Sequence, residues 1–176
     1  MGKLEGQTCP VCMNKTLTLT EELIEIPFFG KAYIFSMECS DCGFRKSDVE
    51  AAEPKEPVKY TFEISSAKDL NVRVVKSSSA TIKLPEMKVK IESAENSDGY
   101  VANVEKILNE LQQVVVEIRD TEESKAKKKK ARQLVEQILD LKEGKGKTTL
   151  VIEDPTGNSA IISEKAKKEP LKTAKK

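Results

Sequence analysis

Two Cys-x-x-Cys pairs, Cys9-Pro-Val-Cys12 and Cys39-Ser-Asp-Cys42, use all four cysteines of a chain that has no histidine. Such a knuckle folds two thiolates onto one side of the backbone, and two knuckles complete a tetrahedron of Zn–S bonds of about 2.3 Å. Iron held by four thiolates in the manner of rubredoxin is the alternative that spacing alone leaves open, although zinc is the commoner occupant. A redox pair needs one such motif at a helix N-terminus in a βαβ unit, whereas both pairs here are flanked by strand-like sequence. Two disulfides need an oxidising compartment, and the polar opening Met1-Gly2-Lys3-Leu4-Glu5-Gly6 is no apolar signal segment. A site closed by four thiolates keeps no position for an activated water. General acid–base work would fall to carboxylates, lysines and three tyrosines that form no recognisable constellation. These residues point to one bound zinc in a protein that is not an enzyme.

The elements that position the knuckles follow from periodicity. Residues 17–26 and 31–38 are rich in Leu, Ile, Thr, Phe and Tyr, and Pro27-Phe28-Phe29-Gly30 punctuates them. This reads as a long antiparallel hairpin whose arms extend roughly 25–30 Å at about 3.3 Å per residue. The knuckles meet at its base and Phe28 and Phe29 ride at its far end, which makes residues 1–52 a zinc ribbon. Aromatic side chains at a protruding tip are the type that dominates interface energy, so Phe28 and Phe29 are candidate partner contacts.

Residues 53–57, proline-punctuated and charged, read as a linker. Val58, Tyr60, Phe62 and Ile64 then alternate in strand period, and residues 72–76, 80–84 and 87–91 supply further short strands of a sandwich, barrel or β-helical roll. From Asp98, a possible N-cap, apolar residues recur at helical spacing through Val104, Ile107, Leu108, Leu111, Val115 and Ile118. Asp120-Thr121-Glu122-Glu123 resembles a capping box opening a second helix through Ala131, Leu134, Ile138 and Leu141 to Gly144. The pair reads as an antiparallel helical hairpin inserted over about 98–144, its apolar faces packed mainly on each other. Strand character resumes at 148–152 and 159–162, which ends the β domain (58–163) and leaves a basic, unordered tail at 164–176.

Thirty Lys+Arg stand against 29 Asp+Glu, for a net charge of +1 in 176 residues, so no whole-chain attraction to nucleic acid is expected. No run approaches the roughly 18 apolar residues of a membrane span, and a cytoplasmic location is expected. Lys125, Lys127 to Lys130 and Arg132 form a basic run that reads as a solvated helix face. Lys15, Arg45 and Lys46 adjoin the knuckles. They can offset the charge of about −2 on a zinc tetrathiolate, or meet phosphate in the alternative reading of a nucleic-acid-binding ribbon of the translation or transcription machinery.

With the knuckles, Ile26-Pro-Phe-Phe29, Cys39-Ser-Asp-Cys42-Gly43-Phe44-Arg45, Asp69-Leu-Asn71, Val74-Val-Lys-Ser-Ser-Ser-Ala-Thr81, Leu84-Pro-Glu86 and Glu153-Asp-Pro-Thr-Gly-Asn-Ser159 in this order, the chain resembles the ZPR-type zinc-finger proteins in their short archaeal form. The resemblance implies a zinc ribbon followed by a double-stranded β-helix domain with an inserted helical hairpin, a unit that eukaryotic relatives carry twice. It implies a partner as well, translation elongation factor one-alpha, whose folding the eukaryotic proteins assist. The chain departs from the pattern at Met13, where glycine is usual, at Asp48 (Glu), at Asn103 and Lys106 (Thr and Gly), and at Glu153 (Asp).

Overall fold

The computed structural model describes residues 2–94 and 97–171. The ribbon is a four-stranded antiparallel sheet of β1 (Gly2–Gln7), β2 (Leu17–Ile26), β3 (Gly30–Cys39) and β4 (Arg45–Ala51), in that spatial order. β2 and β3 pair along their full length, from Leu17 opposite Cys39 to Ile26 opposite Gly30. The register sets the knuckles at one end and the Pro27-Phe28-Phe29 turn at the other. Phe28 takes φ of 63° after Pro27, and the Phe29 N–H donates to the Ile26 carbonyl at 3.0 Å. A proline followed by positive φ is the pattern of a type II turn, whose third position ordinarily takes glycine or asparagine. β1 and β4 widen the expected hairpin. The side chains of β1 are all exposed, so its ladder to β2 is what holds it and no apolar pattern announces it.

The β domain contains β5 (Val58–Ile64), β6 (Arg73–Lys76), β7 (Thr81–Leu84), β8 (Val89–Ile91), β9 (Tyr100–Asn103), β10 (Thr148–Asp154), β11 (Ala160–Ile162) and β12 (Lys167–Pro170). They form a five-stranded sheet, β12-β5-β10-β7-β8, and a three-stranded sheet, β11-β6-β9. Strand alternation then sorts the side chains. Phe62, Ile82, Leu84, Leu150 and Ile152 of the larger sheet share one core with Val74 and Ile161 of the smaller. The next residue, Val75, points the other way and joins Ala160 against Ile26, Ala32 and Val49 of the ribbon. The three-stranded sheet is therefore a middle layer with an apolar contact on each face.

Helices α1 (Val104–Thr121) and α2 (Lys125–Lys142) connect β9 in one sheet to β10 in the other. Their boundaries correct two expectations. Asn103, not Asp98, caps α1 by accepting the Lys106 N–H at 3.1 Å, because residues 100–103 are taken up pairing with β6. Asp120 lies inside α1, paired with Arg119, and Ser124 precedes α2. The hairpin is also no self-contained insertion. Ile107, Leu108, Leu111, Ile138 and Leu141 lie in the same buried cluster as Phe62 and Leu150, so the helices wall the core between the sheets. Neither is long and apolar enough to cross a membrane.

The segment expected as an unordered tail is corrected as well. β12 pairs with β5 from Lys167 opposite Thr61 to Pro170 opposite Val58, its charged side chains exposed while its backbone covers the edge of β5. The rest of the basic tail, 172–176, lies outside the described residues.

Candidate metal centre

The two knuckles repeat one backbone pattern. In the first, the Met13 N–H donates to the Cys9 carbonyl at 3.0 Å and the Cys9 N–H to the Asn14 carbonyl at 2.9 Å. In the second, the Gly43 N–H donates to the Cys39 carbonyl at 3.1 Å and the Cys39 N–H to the Phe44 carbonyl at 2.9 Å. Met13 (φ 62°) thus stands where Gly43 (φ 73°) stands, both left-handed. Each follows the second cysteine, and the left-handed conformation turns the chain back so that the next carbonyl, of Asn14 or Phe44, meets the N–H of the first cysteine; a Cβ there costs roughly 1–2 kcal/mol. This is the physical content of the departure at Met13: the knuckle keeps its geometry at a conformational cost. The Asn14 amide donates to the Asp41 carboxylate and ties one knuckle to the other.

The four sulfurs converge. Cys9 Sγ lies 3.7 Å from Cys42 Sγ and Cys12 Sγ 3.7 Å from Cys39 Sγ, and all four atoms fall within 4.8 Å of one another. A tetrahedron of Zn–S bonds near 2.3 Å has edges of about 3.8 Å. A disulfide would bring two sulfurs to about 2.05 Å, and no two of the four cysteines are so joined. Backbone and hydroxyl donors point at the sulfurs. The Val11 N–H points at Cys9 Sγ from 3.4 Å, and the Thr16 hydroxyl lies 3.3 Å from Cys39 Sγ. The Cys42 N–H, followed by Thr16, holds the Cys39 thiol down at about 6. The Phe44 N–H favours a Cys42 thiolate too, but desolvation and the three neighbouring thiols outweigh it and push that thiol up to about 12. A sulfur cluster whose first proton leaves readily and whose last is held by its neighbours needs a cation to ionise fully, and a bound divalent metal deprotonates its thiols outright. Four soft donors at tetrahedral spacing fit zinc.

One of the expected outer charges has a partner of its own. Arg45 turns to Glu38 in an ion pair, its Nε donating at 3.0 Å, rather than toward the sulfurs. Lys15 is exposed beside the first knuckle. The basic run lies on the first turns of α2, remote from the ribbon in sequence and borne by a different element.

The two tip phenylalanines part company. Phe29 packs onto the cluster formed by Ile26, Val75 and Ala160, under the Lys55 ammonium, which stands 3.3 Å above the ring and donates to the Phe29 carbonyl at 2.8 Å. Its half-buried ring thus packs between ribbon and β domain. Phe28 is 98% exposed.

Periodicity gave no sign of the groups that fasten the two units. The Ser47 N–H donates to Asp98 at 3.0 Å and the Ala51 N–H to Asn158 at 3.0 Å, while Asp48 accepts from Ser78. The motifs at Ser77 to Ser79 and at 153–159 serve a buried carboxylate. Asp154 accepts from the hydroxyls of Ser77 (2.7 Å), Ser159 (2.6 Å) and Thr156 (2.7 Å) and from the Thr156 N–H (2.8 Å). Burial would raise its pKa, and these donors more than offset it. The signal that could have found this set is the pairing of a serine run with an Asp-Pro-Thr-Gly turn, since a buried carboxylate needs donors from more than one segment.

Comparison with known proteins agrees with this anatomy. Residues 4–57 match the ZPR1 zinc-finger domain and residues 68–176 the ZPR1 jelly-roll domain. A ZPR1-like protein of Methanocaldococcus jannaschii is 44% identical over 97% of this chain and 87% of its own length. One from Pyrococcus horikoshii is 39% identical over 93% and 75%. The zinc finger chaperone zpr1 of Schizosaccharomyces pombe is 33% identical over 86% of this chain but only 34% of its own length.

Proposed function

The chain belongs to the ZPR1 zinc-finger family, with a four-cysteine centre able to hold one zinc ion, and from that premise we propose that it is a non-enzymatic protein-binding module that engages translation elongation factor one-alpha and assists its folding or assembly. The observation that carries this reading is Phe28. Its ring is 98% exposed and its backbone is left-handed, so it combines a solvated aromatic surface with a conformation that costs roughly 1–2 kcal/mol for a non-glycine residue. Folding gains nothing from either. A partner that buries the ring does, and beside it runs a groove of about 390 Å³ lined by Tyr60, Ile161, Ile162 and Ala166. The name of the fission-yeast relative supports the chaperone part of the reading. Its non-enzymatic part is supported by the ligand count, because four thiolates fill a tetrahedral ion and leave it no Lewis-acid position.

The test is capture from a lysate of the source organism with the tagged, zinc-loaded chain, with and without a chelator. Elongation factor one-alpha should be retained with zinc and released by the chelator, at physiological as well as low salt. Capture that ignores the chelator, or of nucleic acid that disappears steeply with salt, contradicts the reading.

A further inference from the structure

The two faces of the ribbon sheet are not alike. The inner face, through Ile26, Ala32 and Val49, is covered by the β domain. On the outer face the register lines up Leu4, Leu19 and Met37 in one row, Gly2, Glu21 and Phe35 in the next, and Leu23 with Tyr33 in a third. Leu4, Leu23 and Met37 are 60, 48 and 36% exposed. Gly2 has no side chain to fill its place in the middle row, and an apolar groove of about 410 Å³ opens there over Leu19, Phe35 and Met37.

The groove ends at an open strand edge. Among the described residues β1 pairs with β2 alone, and all six of its residues are exposed, so half of its backbone donors and acceptors face outward. Two charged residues line the groove: Lys3, which is paired with Glu5, and Glu21, whose carboxylate is exposed and in no ion pair among the described residues. Even a Cβ built on Gly2 would lie within 3.7 Å of the Glu21 Cβ, so a long side chain arriving beside Gly2 can reach that carboxylate.

We propose that this face docks an extended segment of a partner polypeptide, which adds to β1 as a fifth strand. The partner residue opposite Leu4 is apolar and enters the groove; the one opposite Gly2, two positions along on the same face, is lysine or arginine and meets Glu21. Backbone hydrogen bonds to the edge give affinity, and the alternate side chains give specificity. A second copy of this chain fits less well, because its own β1 would bring Gly2 and Leu4 to the groove side and no cation to Glu21. The inference rests on the protein-binding reading but uses neither Phe28 nor the identity of the elongation factor.

The test titrates the full zinc-loaded chain, labelled for amide NMR, with a nine-residue peptide of alternating threonine with valine, lysine, valine, lysine on the groove side. Controls are the same peptide with glutamate for lysine and one with N-methylated threonines. The lysine peptide should shift the amides of residues 2–7 together with Glu21 and Phe35, and bind at least tenfold more tightly than either control. Glu21→Lys should invert the preference between lysine and glutamate peptides, with zinc stoichiometry unchanged. Equal affinity of the peptides, shifts elsewhere, or the same shifts on raising protein concentration without peptide would overturn the proposal, the last by naming a second copy as occupant. Loss of the peptide effect with elongation-factor capture intact removes this face alone, and the converse removes only the identity of the partner.

Discussion

Asp48 of the ribbon accepts two hydrogen bonds from Ser78 of the β domain, from its backbone N–H at 2.9 Å and from its hydroxyl. The same carboxylate receives the Val49 N–H at 2.8 Å, and Gly99 presses against it so closely that a Cβ there would fall 2.2 Å from Asp48 Oδ1 and 2.8 Å from the Val49 nitrogen. This contact, with the apolar patch around Val75, sets the ribbon on the middle sheet. Asp48→Ala should cost about 1–3 kcal/mol by leaving the Ser78 donors unpaired, and Gly99→Ala should cost at least as much by forcing the units apart. Thermal midpoints check the first effect and hydrogen exchange at the Ser78 amide the second; unchanged protection at Ser78 in both variants would remove the contact from the account.

Met13 holds a left-handed conformation that its counterpart Gly43 adopts freely. Met13→Gly should therefore stabilise the first knuckle by about 1 kcal/mol, seen as slower zinc loss to a competing chelator. Gly43→Ala should change the rate in the opposite sense.

Asp69 is buried beneath Lys165, whose Nζ donates at 2.9 Å, and accepts from the N–H groups of Ser65 and Ser66, each at 3.0 Å. Burial alone would raise its pKa, but Lys165, Ser65 and Ser66 hold it at about 2, against 3.8 for the free group. A carboxylate lowered on folding stabilises fully above its unfolded pKa and loses that contribution as the pH falls through the folded one, here from about 4 to about 2. The shift corresponds to roughly 2 kcal/mol. Asp69→Asn should be less stable than the parent by about that much at pH 7, and the gap should close across that acid window. A gap independent of pH would mean that packing, not charge, is what Asp69 contributes.

Replacing residues 104–142 by a short flexible linker should abolish the β domain, because Ile107, Leu108, Leu111, Ile138 and Leu141 form part of its one core. Losing a single such side chain typically costs 2–5 kcal/mol, and here several go together. Circular dichroism of the deletion variant checks this, and a retained cooperative β transition would contradict it.

These outcomes separate what residue type reveals from what only packing reveals. Cys9, Cys12, Cys39 and Cys42 were legible because thiolate chemistry and knuckle spacing leave so few uses for them. The apolar stripe of α1 was legible as a helix, but its period does not say whether Leu111 meets another helix or Phe62 across a sheet. Asp98 mimicked a cap because β9 is only four residues long and its pairing with β6 is non-local. β1 and β12 were invisible because their side chains stay in water and only the backbone is engaged. Phe28 and Phe29, adjacent and chemically identical, could not be told apart until the turn sent one ring inward beneath Lys55 and the other into solvent.

Phe28 and Phe29 therefore separate partner binding from stability. The affinity of elongation factor one-alpha for the zinc-loaded chain should fall about 30-fold or more in Phe28→Ala, the loss of about 2 kcal/mol expected of an aromatic anchor, while zinc content and thermal midpoint match the parent. Phe29→Ala should lower the midpoint instead. An unchanged affinity in Phe28→Ala, measured by calorimetric titration on the folded, zinc-loaded variant, would contradict the account.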